Sequence, residues 1–495
     1  MSSILDHVEQ SVPRATVYGA MKGSPVFIGK YFREINPSSN QTTYNYRSGE
    51  KRISFVVASP DKTIFHDMRS AYLRVKIKAK QDATDATSRC SVAEPASNII
   101  ERVVIKMNGT VVEDISRFDH LTSFFKRKLL TRDQKNARNR EGWDYISQDN
   151  STNTRASVEG SAGSGNRVGK AHGIIKDCVL NNDNDELCLK LDLSGIFNLQ
   201  QLLSGYYSPL EIELYLQDPS VCGVRSSMGH NNTECDVIEV INPRLCIDQI
   251  VMSPEYVSAF EAALLANSAA QGIQIPFQTY YNYSTDVQND DVTFWVRKPV
   301  RYLRSVYFGA VANGAESDST TSDQNSSLSD GKTDAYKFTR FTPAVLGTNA
   351  PRVTDCAKIY AWQVAIGTKS YRFIEDGTNT LNVSHESTQA TADTFNESDV
   401  FFAKSVGHYN DYDTESAEYN PLERRLALAC QGVDLEFSPD NAVLASETTL
   451  NSNDIRIRLK IKSIGTGGNF RVFVFTAYQA SIALFPGNET RLLVT

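Results

Sequence analysis

The chain has 495 residues, of which 41% are hydrophobic and 10% aromatic, with a formal net charge of −7 and a pI near 5.7. Its length sets a prior of about two to four structural units, and the acidic balance speaks against a dedicated nucleic-acid binder. No apolar run approaches the roughly 18 residues that a spanning helix needs, and Met1-Ser2-Ser3-Ile4-Leu5-Asp6 lacks the charged and apolar regions of a signal peptide, so a cytosol-like site of synthesis is expected.

In chain order, residues 1–52 are polar with weak periodicity. Cations outnumber acids from residue 10 onward, and Arg14, Lys22, Lys30 and Arg33 give this segment the character of a mildly basic arm. Such an arm reads as a tether to a neighbouring subunit or to a polyanion such as a genome, or as a plain solvated extension. Strand patterns start at Ile53–Val57, ended by Ser59-Pro60. Leu73, Val75, Ile77 and Ala79 then alternate with Arg74, Lys76, Lys78 and Lys80, the period of two that gives a strand one dry face and one wet face. Val103–Met107 and Thr110–Val112 flank Asn108-Gly109, a strong two-residue hairpin signal. A helix is predicted over Phe118–Leu130, with Phe118, Leu121, Phe125 and Leu129 on one side and Lys126, Arg127 and Lys128 where cations suit the dipole. After a polar loop over 131–172, strands are expected at Ile174–Leu180, Leu187–Leu193 and Leu210–Leu216, then as a pair at Asp236–Ile241 and Leu245–Met252.

Ser253, Pro254 and Glu255 have the chemistry of a helix start, and Val257, Phe260 and Leu264 share one face of the helix they open. A boundary is placed here, near residue 253. The next strands are expected at Ile273–Tyr280, Val292–Val296, Tyr302–Val311, Lys358–Ile366, Ser370–Ile374 and Gly432–Phe437. Polar insertions at Asn313–Asp334 and Glu375–Glu397 carry too few apolar residues to pack and read as exposed loops. Ile455, Ile457, Leu459 and Ile461 alternate with Arg456, Arg458, Lys460 and Lys462. Beyond Gly465-Thr466-Gly467-Gly468, Phe470–Phe475 is apolar at nearly every position. The two read as a hairpin, one strand half exposed and the other buried.

Chemistry is hard to find. Eight cysteines contain no CxxC pair, which speaks against a structural zinc site, and Cys188, Cys246 and Cys430 read as buried thiols. The Gly-rich run from Gly160 to Lys170 misses the phosphate-loop spacing, because Ser164 stands where its first glycine belongs and Ala171 where Ser or Thr is needed. Asp411, Asp413 and Glu415 lack the glycine and twelfth-position glutamate of a calcium loop. The histidines are scattered, and no serine sits in a GxSxG elbow. No catalytic, cofactor or metal residue is assigned, and the chain reads as non-enzymatic.

An internal echo organises what remains. The strand and tight turn at Val104–Thr110 recur at Gln363–Thr368, Leu191-Asp192-Leu193 at Val433-Asp434-Leu435, and the alternating strand Leu210–Leu216 at Ile455–Ile461. The order suggests duplication of an all-β unit of roughly eight strands. The expected fold is all-β: two tandem eight-stranded jelly rolls with short helices and long loop insertions. The divisions are an N-terminal arm (1–52), a first roll (53–253), a second roll (254–484) and a C-terminal tail (485–495).

Residues Phe65–Leu73, Asn98–Ile105 leading into Asn108-Gly109, Leu189–Phe197 and Ser208–Leu214 together resemble the double jelly-roll major capsid proteins of double-stranded DNA viruses, of the virophage, polinton-like virus and adintovirus type. Pro243–Glu261 is similar to the junction between the rolls and Ala429–Leu484 to the closing strands of the second. The resemblance implies a homotrimer of pseudo-hexagonal outline that tiles an icosahedral shell around the DNA genome. It also implies a place in the virion capsid after assembly inside the host cell, no membrane span, and contacts with neighbouring capsomers. Penton and minor or cement proteins, and weak non-specific contact of the basic arm with genome, complete the implied partners. Two other readings stay open: a minor vertex protein, and a tandem β-sandwich carbohydrate binder using Trp143, Tyr145, Tyr280, Tyr281 and Tyr283 on loops.

Overall fold

A computed structural model describes residues 27–47, 49–80, 90–92, 95–122, 125–126, 138, 141, 186–225, 237–267, 272–287, 291–296, 303–312, 357–366, 369–373, 430–434, 455–463, 470–487 and 489–493. The strands among them are antiparallel and fall into two β-sandwiches. The first is built from β1 (Phe27–Ile35), β2 (Thr43–Asn45), β3 (Arg52–Val57), β4 (Ile64–Lys80), β5 (Cys90–Val92), β6 (Ile100–Met107), β7 (Thr110–Ile115), β8 (Leu187–Leu189), β9 (Leu203–Ser204), β10 (Leu210–Leu216), β11 (Gly223–Arg225) and β12 (Val237–Met252). One sheet runs β1-β12-β4-β8, with β2 on β12 and β9 on β4; the other runs β3-β10-β6-β7, and β5 pairs β11 apart from both.

The second sandwich holds β13 (Ile273–Val287), β14 (Asp291–Val296), β15 (Leu303–Ala312), β16 (Ala357–Ile366), β17 (Lys369–Phe373), β18 (Cys430–Asp434), β19 (Ile455–Ser463), β20 (Phe470–Phe485) and β21 (Glu489–Leu493). Its sheets run β13-β20-β15-β18, with β21 on β20, and β14-β19-β16-β17. Set the short accessory strands β2, β5, β9, β11 and β21 aside and eight remain in each sandwich. In both, the order across one sheet is first, eighth, third, sixth, and across the other second, seventh, fourth, fifth. The echo in the sequence is therefore an identity of topology. The segments matched there, β6–β7 with β16–β17 and β10 with β19, occupy the same places in the two sandwiches.

Local chemistry explains the strands. In β10, Leu210, Ile212, Leu214 and Leu216 are buried, while Glu213 on the other face takes Lys106 at 2.9 Å and Arg52 at 3.3 Å. In β19, Ile455, Ile457 and Leu459 enter the core and Arg456 and Arg458 face out, with Arg458 gripping Asp291 of β14 through a fork at 2.9 and 2.6 Å. Asn108 and Gly109 link β6 to β7 with φ of 49° and 79°, the left-handed pair that a tight hairpin requires.

Four expectations are corrected. The arm expected over 1–52 contains β1, which pairs with β12 from Phe27 to Ile35; as an edge strand exposed on both faces it has no clean alternation to read. The tail expected over 485–495 contains β21, paired with β20. The pair expected at Asp236–Ile241 and Leu245–Met252 is the single strand β12. It bends where Asn242 takes a positive φ of 48° before Pro243, and its register against β4 slips there. Finally, β19 and β20 are no hairpin: β19 pairs with β14 and β16, and β20 with β13 and β15, in the opposite sheet. Alternation identifies a strand and its wet face, but leaves its sheet undecided. The predicted helix at Phe118–Leu130 is described as α1 (Phe118–Thr122), and Phe118, Leu121 and Phe125 are buried as expected. The strand expected at Ile174–Leu180 and both polar insertions lie outside the described residues.

Between β12 and β13 runs α2 (Pro254–Asn267), where the Tyr256 amide donates to Ser253 Oγ at 3.3 Å. Phe260 and Tyr256 of this helix meet Phe65 edge-on, at 5.6 and 5.7 Å. Glu261 takes Lys62 at 2.6 Å and the Tyr207 hydroxyl, fastening the helix to the first sandwich. The buried apolar residues form one cluster through both sandwiches.

Candidate functional site at the junction of the sandwiches

The chemistry-bearing residues of the described chain gather where β7 and α1 of the first sandwich lie on the outer face of the β13-β20-β15 sheet. Phe125 packs on Tyr307 at 4.8 Å and on Tyr280 at 5.5 Å, and His120 stacks on Phe473 at 4.3 Å. This explains why β20 is apolar without alternation. Val472 and Val474 are as buried as Phe473 and Phe475, because the first sandwich covers what would be the wet face.

At the centre sits Glu113 of β7, only 3% exposed. Its carboxylate accepts from the Gly195 amide at 2.8 Å, the Ile196 amide at 3.3 Å, Ser194 Oγ, and, from the second sandwich, Thr279 Oγ1 at 2.6 Å. Burial pushes its pKa above the ordinary carboxylate range, against the pull of these donors. Gly195 lies against the Gln278 backbone, with no room for a side chain. At the rim, Asn108 Nδ2 donates to Thr490 Oγ1 at 2.8 Å, Thr110 Oγ1 to the Thr490 carbonyl at 3.1 Å, and Asn282 Nδ2 to the Ser116 carbonyl.

Two further polar sites belong to the first sandwich. Lys126 reaches Asp192 at 2.6 Å and Glu141 at 3.5 Å, and Arg138 reaches Asp192 at 3.0 Å. Burial works against the Asp192 charge, yet Lys126 and Arg138 hold its pKa below the usual value, whereas burial raises that of Glu141. These are structural ion pairs in which Lys126 and Glu141 are buried and Asp192 and Arg138 reach the surface. His66 of β4 is buried against Ser59 and Gly205, and among the described residues neither ring nitrogen has a hydrogen-bond partner.

His66 carries a pH prediction. Burial, helped by the Arg33 charge, lowers its pKa from 6.5 to about 4. The folded chain keeps the ring neutral while the unfolded chain protonates it, so this contribution is intact above pH 6.5 and is lost as pH falls from 6.5 towards 4. The full difference corresponds to about 3 kcal/mol. Urea unfolding at pH 7.5 and pH 4.5 is expected to show a smaller loss of stability for His66→Gln than for wild type. Equal losses would refute the assignment.

The sequence-predicted site residues are divided. Arg14 and Lys22 lie outside the described residues. Lys30 and Arg33 sit on β1, where Lys30 pairs with Asp248 at 2.7 Å and Arg33 donates to the Ala58 carbonyl at 3.2 Å. The tyrosines proposed as a sugar platform are on a strand: Tyr280 is buried against Phe125, and Tyr283 stacks on Phe294 at 5.9 Å. Trp143 and Tyr145, Gly160–Lys170 and Asp411–Glu415 are outside the described residues. Cys246 is buried and Cys188 half-buried, and neither is in a disulfide, whereas the Cys430 side chain is not described. Among the described residues no group of three or more His, Cys, Asp or Glu side chains is placed to hold a metal, and no helix is long and apolar enough to cross a membrane. Sequence reasoning missed Glu113 and Gly195; Glu113 stands beside Asp114 in Thr110–Ile115, and nothing local tells the buried acid from the exposed one.

No family model and no curated protein matches the chain. Solved structures do. VP54 of the virus PBCV-1, fitted into a cryo-EM reconstruction of the virophage Sputnik, aligns over 95% of this chain and 98% of its own, at a TM-score of 0.52 and 8% identity. A chain of the PBCV-1 virus capsid aligns over the same shares at 0.51 and 8%. A chain of the Sputnik virophage structure aligns over 95% and 89%, at 0.50 and 11%. The fold is a double jelly roll. The two sandwiches are its rolls, alike in sheet order, and the Glu113 site is the seam that fixes one roll against the other.

Proposed function

We propose that this double jelly roll is a viral major capsid protein, a structural subunit that assembles as a homotrimer with six rolls in a ring and tiles an icosahedral shell around a DNA genome. The observation that carries the reading is the way the rolls meet. Strand β7, fifth of the first roll, lies on β13, first strand of the second, through the Glu113–Thr279 and Asn282–Ser116 bonds. In this reading the shared topology lets the same contact recur head-to-tail between copies, the fifth strand of a second roll set against the first strand of the next first roll. A head-to-tail contact that recurs between copies closes into a ring when its rotation permits. Three two-roll chains then make a ring of six. The similarity to a chain of the PBCV-1 virus capsid supports the same role.

In this reading the cores are passive and rigid, and assembly depends on lateral contacts. The shell would also take in penton and minor or cement proteins, with residues ahead of β1, including Arg14 and Lys22, facing neighbours or genome. Sedimentation and electron microscopy of the purified chain are expected to show trimers with pseudo-sixfold outline, or closed particles. A monomer at all concentrations, or an open filament, would refute it.

A further inference from the structure

The outer face of the β14-β19-β16-β17 sheet, in the second roll, carries an open hollow of about 250 Å³ lined by Asp291, Thr293, Gln363, Arg456 and Arg458. The register puts these residues on one face. Thr293 and Gln363 flank Arg458 on either side, and Trp295 stands opposite Arg456. The two arginines differ in their partners. Arg458 is closed by its fork with Asp291, at 2.9 and 2.6 Å. Arg456 lies over the Trp295 ring, 5.9 Å from its centre, and among the described residues no carboxylate pairs with it. Trp295 itself is 47% exposed.

The first roll shows the same device in closed form. On its matching sheet, β3-β10-β6-β7, Arg102 lies over Tyr215 at 5.7 Å, but Asp114 takes the guanidinium through a fork at 2.7 and 2.6 Å. Lys106 and Arg52 on that face are both taken by Glu213. Each roll thus carries an arginine stacked on an aromatic ring, and only the one in the second roll lacks its acid among the described residues. The first-roll face also lies clear of the contact between the rolls, since Arg52, Arg102 and Asp114 stay exposed. A contact of the same kind between copies therefore leaves the Arg456 face open.

We infer that this face binds an acidic saccharide, a sugar residue that bears a carboxylate. A guanidinium stacked on an aromatic ring still presents its N–H edge, and that edge matches a carboxylate through two parallel bonds. Thr293 and Gln363 bring a hydroxyl and an amide, groups that exchange hydrogen bonds with sugar hydroxyls. The exposed indole offers apolar surface to the C–H face of a pyranose ring. Asp291 decides the charge of the ligand. Two guanidinium groups against one carboxylate leave the lining with a single positive charge. That suits one carboxylate, whereas a chain of phosphates would meet the Asp291 charge at close range. The inference does not depend on the proposed ring.

The test titrates the full chain with glucuronate and with N-acetylneuraminate, read by saturation-transfer NMR, with glucose and acetate as comparators. Trp295 and Arg456 are exposed, so Trp295→Ala and Arg456→Gln are expected to melt at the wild-type temperature. The expected result is that at least one acidic sugar binds, with glucose and acetate roughly tenfold weaker or more. Each of the two variants weakens it roughly tenfold or more, and Arg102→Gln, on the closed face, leaves it unchanged. No transfer to either acidic sugar overturns the inference, and so does transfer that neither Trp295→Ala nor Arg456→Gln reduces. Acetate bound as well as glucuronate, with Trp295→Ala without effect, reduces the site to a plain anion contact and overturns it too. A single-stranded oligonucleotide that binds the wild type, is lost in Arg456→Gln and is not displaced by either acidic sugar assigns the face to nucleic acid instead.

Discussion

Gly195→Ala is expected to uncouple the two rolls. A Cβ at this position would stand 1.9 Å from the Gln278 carbonyl oxygen and 2.7 Å from Phe277 Cδ2. Neither partner is the free end of a flexible chain: both belong to β13, held by its register with β20. Gly195 itself has φ −64° and ψ −33°, a conformation open to any residue, so the cost is purely steric. Overpacking of a close-packed interior costs about 1–3 kcal/mol, and backbone against backbone places this case at the upper end or above. The methyl group also pushes on the loop that donates the Gly195 and Ile196 amides to Glu113. In scanning calorimetry the wild type is expected to unfold in one transition, since one apolar cluster runs through both rolls. The alanine variant is expected to give two. A single unshifted transition would show that the rolls separate here without penalty.

The second large effect is at Glu113. Truncation to alanine leaves two hydroxyls and two amides buried without their acceptor. Each unsatisfied buried donor costs about 1–3 kcal/mol before relaxation, and the buried carboxylate's own desolvation is recovered, so a net loss on the order of 3 kcal/mol is expected. Glu113→Gln keeps the shape but turns an amide donor towards donors, so it should rescue only partly. The pH dependence separates charge from shape. Burial raises the folded pKa of Glu113, so its contribution is fully present below the ordinary carboxylate range and is lost as pH rises through the raised value. The glutamine variant is expected to lose that slope, which has the opposite sign to the one from His66. Identical pH profiles for wild type and Glu113→Gln would refute the assignment of a buried ionisable group.

Much of the roll architecture was legible because a strand with one wet face must alternate. The segments Leu210–Leu216 and Ile455–Ile461 announce both the strand and the side that enters the core, and Asn108-Gly109 announces a hairpin through its left-handed backbone. Where both faces are dry, or both wet, that signal fails. In β20 the run Val472–Phe475 is apolar without alternation because the first roll covers it, and β1 is mixed because it sits at an edge with both faces open. For the same reason the seam was invisible: Glu113 is 82 residues from Gly195 and 166 from Thr279, and no local pattern links them.

The sequence by itself determined that this chain is all-β, that it is built from a repeated unit, and where most strands lie, since those follow from local periodicity and turn chemistry. Only the tertiary structure decided which sheet each strand joins, that β19 and β20 lie in opposite sheets, and that the first roll covers the outer face of the β13-β20-β15 sheet. Those outcomes depend on long-range pairing and on close packing between backbones, and a single residue's neighbours along the chain carry no record of either.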